Sequence, residues 1–278
     1  MATNHTLIIG DCSDMKEIKD KSVQLVVTSP PYFNAPFDYK KLYKSYDHYL
    51  ETLKSVAKEL FRVVDDGRIV ALNIDDMLVD GSKFPIIADA TKIMLDAGFR
   101  YRDRITWKKP DGYLRISRRS GVMLQHPYPM YFYPDNLLES IIIFQKGTFD
   151  YKSITKEVKE KSKIDIDEFQ KKDWYMTLWS MTNVLPNSDL EKGIAAFPDE
   201  LPYRLIKLYS YVGETILDPF AGSGTTMKLA RKLGRNSIGI EIKKELIPII
   251  KEKVGFAGQD SLQKSDDVFN VVNRKKKG

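Results

Sequence analysis

Apolar and polar positions along the chain divide it into short buried strands and amphipathic helices. Thr6-Leu7-Ile8-Ile9 and Gln24 to Thr28 are apolar, β-branched-rich runs bounded by polar residues, as buried strands are. Asp14 to Lys21 predicts one or two helical turns between them. Asp47 to Val63 places Leu50, Leu53, Val56, Ala57 and Leu60 at helical spacing, with a solvated face opposite. Asp65-Asp66-Gly67 predicts a turn into a third strand, Arg68 to Ile74. A second amphipathic helix spans Phe84 to Ala97, closed by Gly98, and a strand follows from Tyr101 to Trp107. Leu137 to Phe144 returns to strand character. Further on, Pro198 opens a helix running to Ser210, and Thr215 to Leu217 is a strand. Thr226 to Leu233 reads as a helix, Asn236 to Ile240 as a strand ending in Glu241, and Leu246 to Val254 as a final helix.

Two stretches break the pattern. From Lys108 to Asn136 no period holds, and basic and aromatic residues mix; Arg100 to Arg119 contains eight basic residues against two acidic. Thr148 to Lys192 is rich in Lys, Asp and Glu, with Trp174, Tyr175 and Trp179 near its end, and by itself reads as a solvated helical insertion. The tail carrying Arg274-Lys275-Lys276-Lys277 is expected to be frayed.

Candidate chemistry lies at strand ends. Thr28-Ser29-Pro30-Pro31-Tyr32 closes the second strand with two prolines, which stop it and stiffen the turn beyond. A hydroxyl, a rigid carbonyl and an aromatic ring are thereby presented where open α/β sheets bind ligands. A turn with a surface tyrosine is the plainer reading of that stretch alone. A second loop follows Thr215-Ile216-Leu217: Asp218-Pro219-Phe220-Ala221-Gly222-Ser223-Gly224-Thr225-Thr226. Its glycines let backbone approach a ligand, and Glu241 on the next strand suits a ribose. The spacing matches neither dinucleotide nor P-loop glycine patterns, and the loop has no lysine for phosphates, so a nucleoside lacking pyrophosphate fits better.

Together the two loops resemble those of the S-adenosylmethionine-dependent amino-methyltransferases of DNA, in the permuted order of the β group, over roughly residues 5–150 and 186–256. The resemblance implies a Rossmann-like fold: a mostly parallel seven-stranded sheet with an antiparallel strand, helices on both faces and a target-recognition insert. The strands at Tyr101–Trp107 and Leu137–Phe144 would form the antiparallel pair. Implied divisions are a catalytic half at 1–147, the insert at 148–192, a cofactor half at 193–256 and a tail at 257–278. Asp218 and Gly222, with Pro219, Phe220, Ala221, Ser223, Gly224, Thr225 and Thr226, would surround the cofactor's amino acid end. Asp11 and Cys12 would meet its adenine, although a small buried residue is an equal reading of Cys12. Phe197 begins a segment resembling the one that covers the methionine part, but Gly193 stands where that segment usually has His.

Ser29 and the Pro30 carbonyl would accept the hydrogens of an exocyclic amine, localising a lone pair otherwise delocalised into the base. Pro31 would stiffen the turn, and Tyr32 would stack on a base removed from the duplex. Ser at the first position of the tetrapeptide favours cytosine N4 over adenine N6. Cytosine-C5 chemistry needs a thiolate, typically in a Pro-Cys pair, whereas Cys12 follows Asp11. Trp107 and Lys108 resemble a segment lining the target-base pocket, and Arg115, Arg118 and Arg119 suit phosphate contact. Implied partners are duplex DNA and a cognate restriction endonuclease. A protein that binds nucleic acid or senses S-adenosylmethionine without catalysis is the reading from another class.

Composition sets outer bounds. At 278 residues and 42% hydrophobic content the chain can build one large α/β domain. A single cysteine and three scattered histidines predict neither a disulfide framework nor a zinc site, and fit a reducing, cytoplasmic compartment. No apolar run is long enough to span a bilayer. A net charge of +6 permits a polyanionic partner without demanding one.

Overall fold

The computed structural model describes residues 2–34, 41–110, 118–132, 134, 136–182, 197–256 and 266–274, with the backbone alone at 118–121. Its strands are β1 (Asn4–Ile9), β2 (Val23–Thr28), β3 (Val64–Ile74), β4 (Met77–Val79), β5 (Ser82–Phe84), β6 (Arg100–Lys108), β7 (Leu138–Gln145), β8 (Leu178–Ser180), β9 (Thr215–Asp218), β10 (Asn236–Glu241) and β11 (Val268–Asn273). The helices are α1 (Tyr46–Val63), α2 (Ile86–Asp96), α3 (Arg118–Gln125), α4 (Lys156–Lys161), α5 (Ile166–Lys171), α6 (Glu200–Tyr209), α7 (Thr225–Lys232) and α8 (Ile247–Val254).

Among the described residues β4 and β5 form a separate hairpin, and the other nine strands make one sheet in the order β11-β1-β10-β9-β2-β3-β7-β6-β8. Only β7 runs against its neighbours, β3 and β6. The sheet is therefore of the expected class but two strands wider than seven. One addition, β8, comes from the 148–192 stretch. The other, β11, corrects the expectation of a frayed tail: Phe269 and Val271 pack on the apolar cluster under α8, which pins a short run that periodicity alone does not reveal.

Strand alternation explains the two layers. Val26, Val70, Leu72, Ile142 and Phe144 face α1 and α2, whereas Leu25, Val27, Ile69, Ala71, Ile141 and Ile143 face α6 and α7. With both faces covered, the central strands are continuously apolar, as buried mixed sheets require. Ser45 caps α1 by accepting the His48 amide at 3.1 Å.

Two local predictions fail. Asp14 to Lys21 forms turns, not a helix. The Asp11 and Asp14 carboxylates accept the Ser13 and Lys16 amides, Glu59 accepts the Met15 amide, and Arg62 donates to the carbonyls of Met15 and Ile18. Side chains of α1 thus satisfy backbone that a helix would have satisfied internally. Asp65-Asp66-Gly67 lies within β3 as an irregularity, with Gly67 at φ +80° and its amide bound to the Lys146 carbonyl.

Arg68 and Glu214 form a paired bridge at 2.5 and 3.3 Å with side chains only 10% and 12% exposed, and the Arg68 guanidinium lies over Phe149. Truncating Arg68 to Ala strands a buried carboxylate that burial already pushes above its usual range. The expected loss is about 3–5 kcal/mol, and thermal unfolding should begin roughly 10 °C earlier. A loss below about 1 kcal/mol, the value of an exposed pair, contradicts this assignment.

Candidate active site

Parallel strands end on one side of a sheet, so the loops after β1, β2, β3, β9 and β10 share an edge. The antiparallel β7 places its first residues at that same edge, beside the end of β3, with Ile74 opposite Ser140. Residues from distant parts of the sequence meet there for this topological reason.

The two loops singled out in the sequence are joined by a hydrogen bond. The Thr28 hydroxyl, next to Ser29, donates to Asp218 Oδ1 at 2.7 Å, and the Thr226 hydroxyl donates to Asp218 Oδ2 at 2.7 Å. The Phe220 amide also donates to Oδ1. Asp218 is buried, and burial pushes its pKa up to about 6 even though these three donors favour the charged form. Gly222 and Gly224 have φ of +52° and +85°, which side-chain-bearing residues adopt only with strain. A Cβ on Gly224 would also press within 3.0 Å of Ile250. Pro219, Phe220 and Ala221 carry the turn, Ser223 accepts from Lys253 at 2.7 Å, and Thr225 and Thr226 are buried at the start of α7.

Glu241 ends β10 one strand away and accepts the Gly222 amide at 3.0 Å and the Lys243 amide at 2.9 Å; burial raises its pKa. The Gly10 amide donates to the Glu241 carbonyl, which puts Asp11 beside this group. Asp11 is exposed, whereas Cys12 is buried in the larger core and burial pushes its thiol up. Cys12 therefore occupies a packing position, and Asp11 is the open group at this strand end. Three acidic residues at three adjacent strand ends disfavour a polyphosphate. They suit a cationic ligand with ribose hydroxyls, so this set of acceptors fits a sulfonium nucleoside bearing an ammonium group.

On the other side of Thr28 lies a polar cluster that sequence reasoning missed. The Tyr32 hydroxyl donates to Glu139 Oε2 at 3.0 Å, and Asn73 Nδ2 donates to the same oxygen at 2.8 Å. Asn73 Nδ2 also lies 3.5 Å from Ser29 Oγ, and Lys109 pairs with Glu139 Oε1 at 2.7 Å. Among the described residues the buried Asn73 side-chain oxygen has no hydrogen-bond partner. Burial, with the Glu139 charge adding to it, pushes Asp75 up to about 6. A signal was present: Asn73 interrupts an apolar strand, and Glu139 precedes Ile141-Ile142-Ile143.

The remaining sequence candidates divide. Trp107 is a core residue, 2% exposed, donating its indole N–H to the Met181 carbonyl and packing near Trp179. Lys109, just beyond the end of β6, reaches Glu139. Lys108 is half-buried and borders an open cleft with Pro110, Ser180 and Thr182. Phe197 packs, partly buried, on the cluster under α6. Arg118 and Arg119 begin α3, while Arg115 lies outside the described residues. Tyr128, Met130 and Phe132 are exposed on the loop between α3 and β7, with Met130 91% exposed.

Residues 23–252 match the model of a DNA methylase family whose members modify N6 or N4 positions. The chain belongs to this family. It is 34% identical to the type II methyltransferase M.MjaI of Methanocaldococcus jannaschii, across 92% of this chain and 93% of that one. Its structure superposes on a DNA modification methylase of Thermus thermophilus, TTHA0409, complexed with S-adenosyl-L-methionine, with a TM-score of 0.71, 29% identity, and coverage of 90% and 96% of the two chains. The cytosine-N4-specific PvuII DNA methyltransferase shares the fold, with a TM-score of 0.70 at 19% identity over 94% of this chain and 89% of that one.

Proposed function

We propose that this DNA methylase transfers the methyl group of S-adenosyl-L-methionine to the exocyclic N4 of cytosine in duplex DNA, as the β-group modifying enzyme of a type II restriction–modification pair. One observation carries the reading: Thr28 and Asp218 hydrogen-bond at 2.7 Å, so the Ser29-Pro30-Pro31-Tyr32 turn and the glycine loop are neighbours rather than separate features.

When bound, the cofactor supplies an electrophilic sulfonium methyl. Asp218, Gly222 and their loop would hold its amino acid end, Glu241 its ribose and Asp11 its adenine, with Phe197 closing over the methionine part. The chain's own chemistry is positional. Ser29 Oγ and the Pro30 carbonyl accept the amino hydrogens of the target base, which favours a pyramidal nitrogen with a localised lone pair. Tyr32, held by Glu139, offers its ring to a base withdrawn from the duplex. No covalent intermediate with the protein is needed, and the amino proton leaves after transfer.

Ser29 favours cytosine because a hydroxyl can donate as well as accept, whereas an ionised aspartate only accepts. Lys108, Arg115, Arg118 and Arg119 would contact phosphates and orient the duplex. The 148–192 segment would read the target sequence, anchored through Trp174, whose ring meets Tyr203 edge-on at 5.9 Å. The type II naming of the M.MjaI relative supports a cognate endonuclease.

Incubation with labelled S-adenosylmethionine and mixed-sequence duplex DNA, followed by digestion to nucleosides, tests the proposal. N4-methylcytosine is expected. N6-methyladenine would replace the cytosine assignment with the adenine one, and cofactor binding without any transfer would reject catalysis.

A further inference from the structure

β11 brings one side chain against the loop that follows β1. Arg274, directly after β11, lies across the Asp11–Glu17 loop. Its Nη1 donates to the Asp11 carbonyl at 2.5 Å, Nη2 to the Asp14 carbonyl at 2.5 Å and to Glu17 Oε2 at 2.6 Å, and Nε to Glu17 Oε1 at 3.0 Å. Its backbone amide binds the Ile9 carbonyl at 3.2 Å, and its side chain is only 13% exposed. The loop it spans has turns and no helix, so its carbonyls depend on outside donors. Gly10 makes room: a Cβ there would lie 2.5 Å from Arg274 Cδ. Gly10 in turn donates to the Glu241 carbonyl, and Glu241 accepts the Gly222 amide.

We infer that Arg274 is a positioning residue, a C-terminal latch that holds the Asp11 loop in its cofactor-binding shape. This rests on the reading of Asp11 as the adenine-side group. The latch needs a guanidinium, because a planar fork with five N–H donors reaches two carbonyls and both oxygens of a carboxylate at once, which an ammonium cannot. It would act on cofactor binding and not on the transfer step, since its side-chain hydrogen bonds go to Asp11, Asp14 and Glu17, whereas Ser29 and Tyr32 engage Asn73 and Glu139. Residues 268–274 thereby join a cofactor site built otherwise from β1, β9 and β10.

Isothermal titration of S-adenosylmethionine and saturating-cofactor transfer assays on the full chain test the latch. Arg274→Ala and Arg274→Lys should each raise the cofactor Kd about tenfold, while kcat at saturation stays within about twofold. Gly10→Ala should reproduce that shift by displacing the guanidinium, and should add little in the Arg274→Ala background. Asp267→Ala loosens the other end of the same strand, where Asp267 holds Thr3 and Arg231, and should lower Tm without moving Kd. Additive Gly10 and Arg274 effects, an unchanged Kd in Arg274→Ala, or an equal Kd rise in Asp267→Ala would each overturn the latch while leaving the cofactor reading intact. A wild-type chain that binds no S-adenosylmethionine would remove that reading and the latch with it.

Discussion

Ser29→Ala is expected to lower methyl transfer by about a hundred- to a thousandfold, the usual effect of deleting one preorganised hydrogen-bonding group at a reacting centre, and to leave cofactor affinity nearly unchanged. The asymmetry follows from geometry. Ser29 adjoins Thr28, which carries the bond to Asp218, but the Ser29 hydroxyl itself faces the Asn73 side of the junction. Removing it leaves the glycine loop and its supports in place. Tyr32→Ala is expected to lose transfer as well, through about 1–3 kcal/mol of base stacking. It also frees Glu139 from one of its donors. Single-turnover transfer beside calorimetric cofactor binding separates the two quantities. Equal losses in both would mean that the tetrapeptide supports the cofactor site rather than the acceptor base.

Asp218→Asn is expected to weaken S-adenosylmethionine binding by roughly 10- to 100-fold at pH 7.5, since a buried charge a few ångströms from a cation is worth a few kcal/mol at an effective dielectric near 20. The same change should stabilise the fold at that pH. Burial raises the carboxyl from an ordinary value near 3.8 to about 6, so its ionised form costs the folded state on the order of 3 kcal/mol above pH 6. The sign follows from proton uptake. Between about pH 6 and 4 the folded chain holds a proton on Asp218 that the unfolded chain releases, so this group's contribution rises as pH falls through that window. The Asn variant lacks that rise, so its advantage in Tm at pH 7.5 should vanish near pH 4. Its amide can still accept from Thr28 and can donate to Thr226, whose hydroxyl lies 3.5 Å from the Val27 carbonyl and can turn to it. Wild-type cofactor affinity should fall more steeply than the variant's as pH drops through 6, the variant keeping only the contribution of Glu241. An affinity indifferent to both changes would detach Asp218 from the cofactor.

Stability and function are thus expected to pull apart at Asp218. A neutral residue would suit the buried site better, yet two threonines and a backbone amide are arranged to keep it charged. Such strain against the fold's own interest is expected where a ligand supplies the missing partner.

Local features of the chain were decisive wherever one short stretch held the whole signal. The Pro30-Pro31 stop, the glycines at 222 and 224 and the apolar β2, β3 and β9 runs declared a strand end, a glycine turn and an α/β sheet without reference to anything distant. They could do so because proline, glycine and apolar periodicity constrain the backbone of their own segment. Tertiary structure alone decided what depends on distant partners. Glu139 joins Tyr32 only because β7 runs backward beside β3, and Trp107 is withdrawn into the core because β8 covers it with Trp179 and Met181. Asp14 to Lys21 gave up helix because Arg62 and Glu59 were there to satisfy its backbone, and the 268–273 run became a strand because β1 left an open edge beside an apolar cluster. A hydrogen bond or a packed face between residues a hundred or more positions apart is set by how the chain folds back on itself, and no local pattern of residues encodes it.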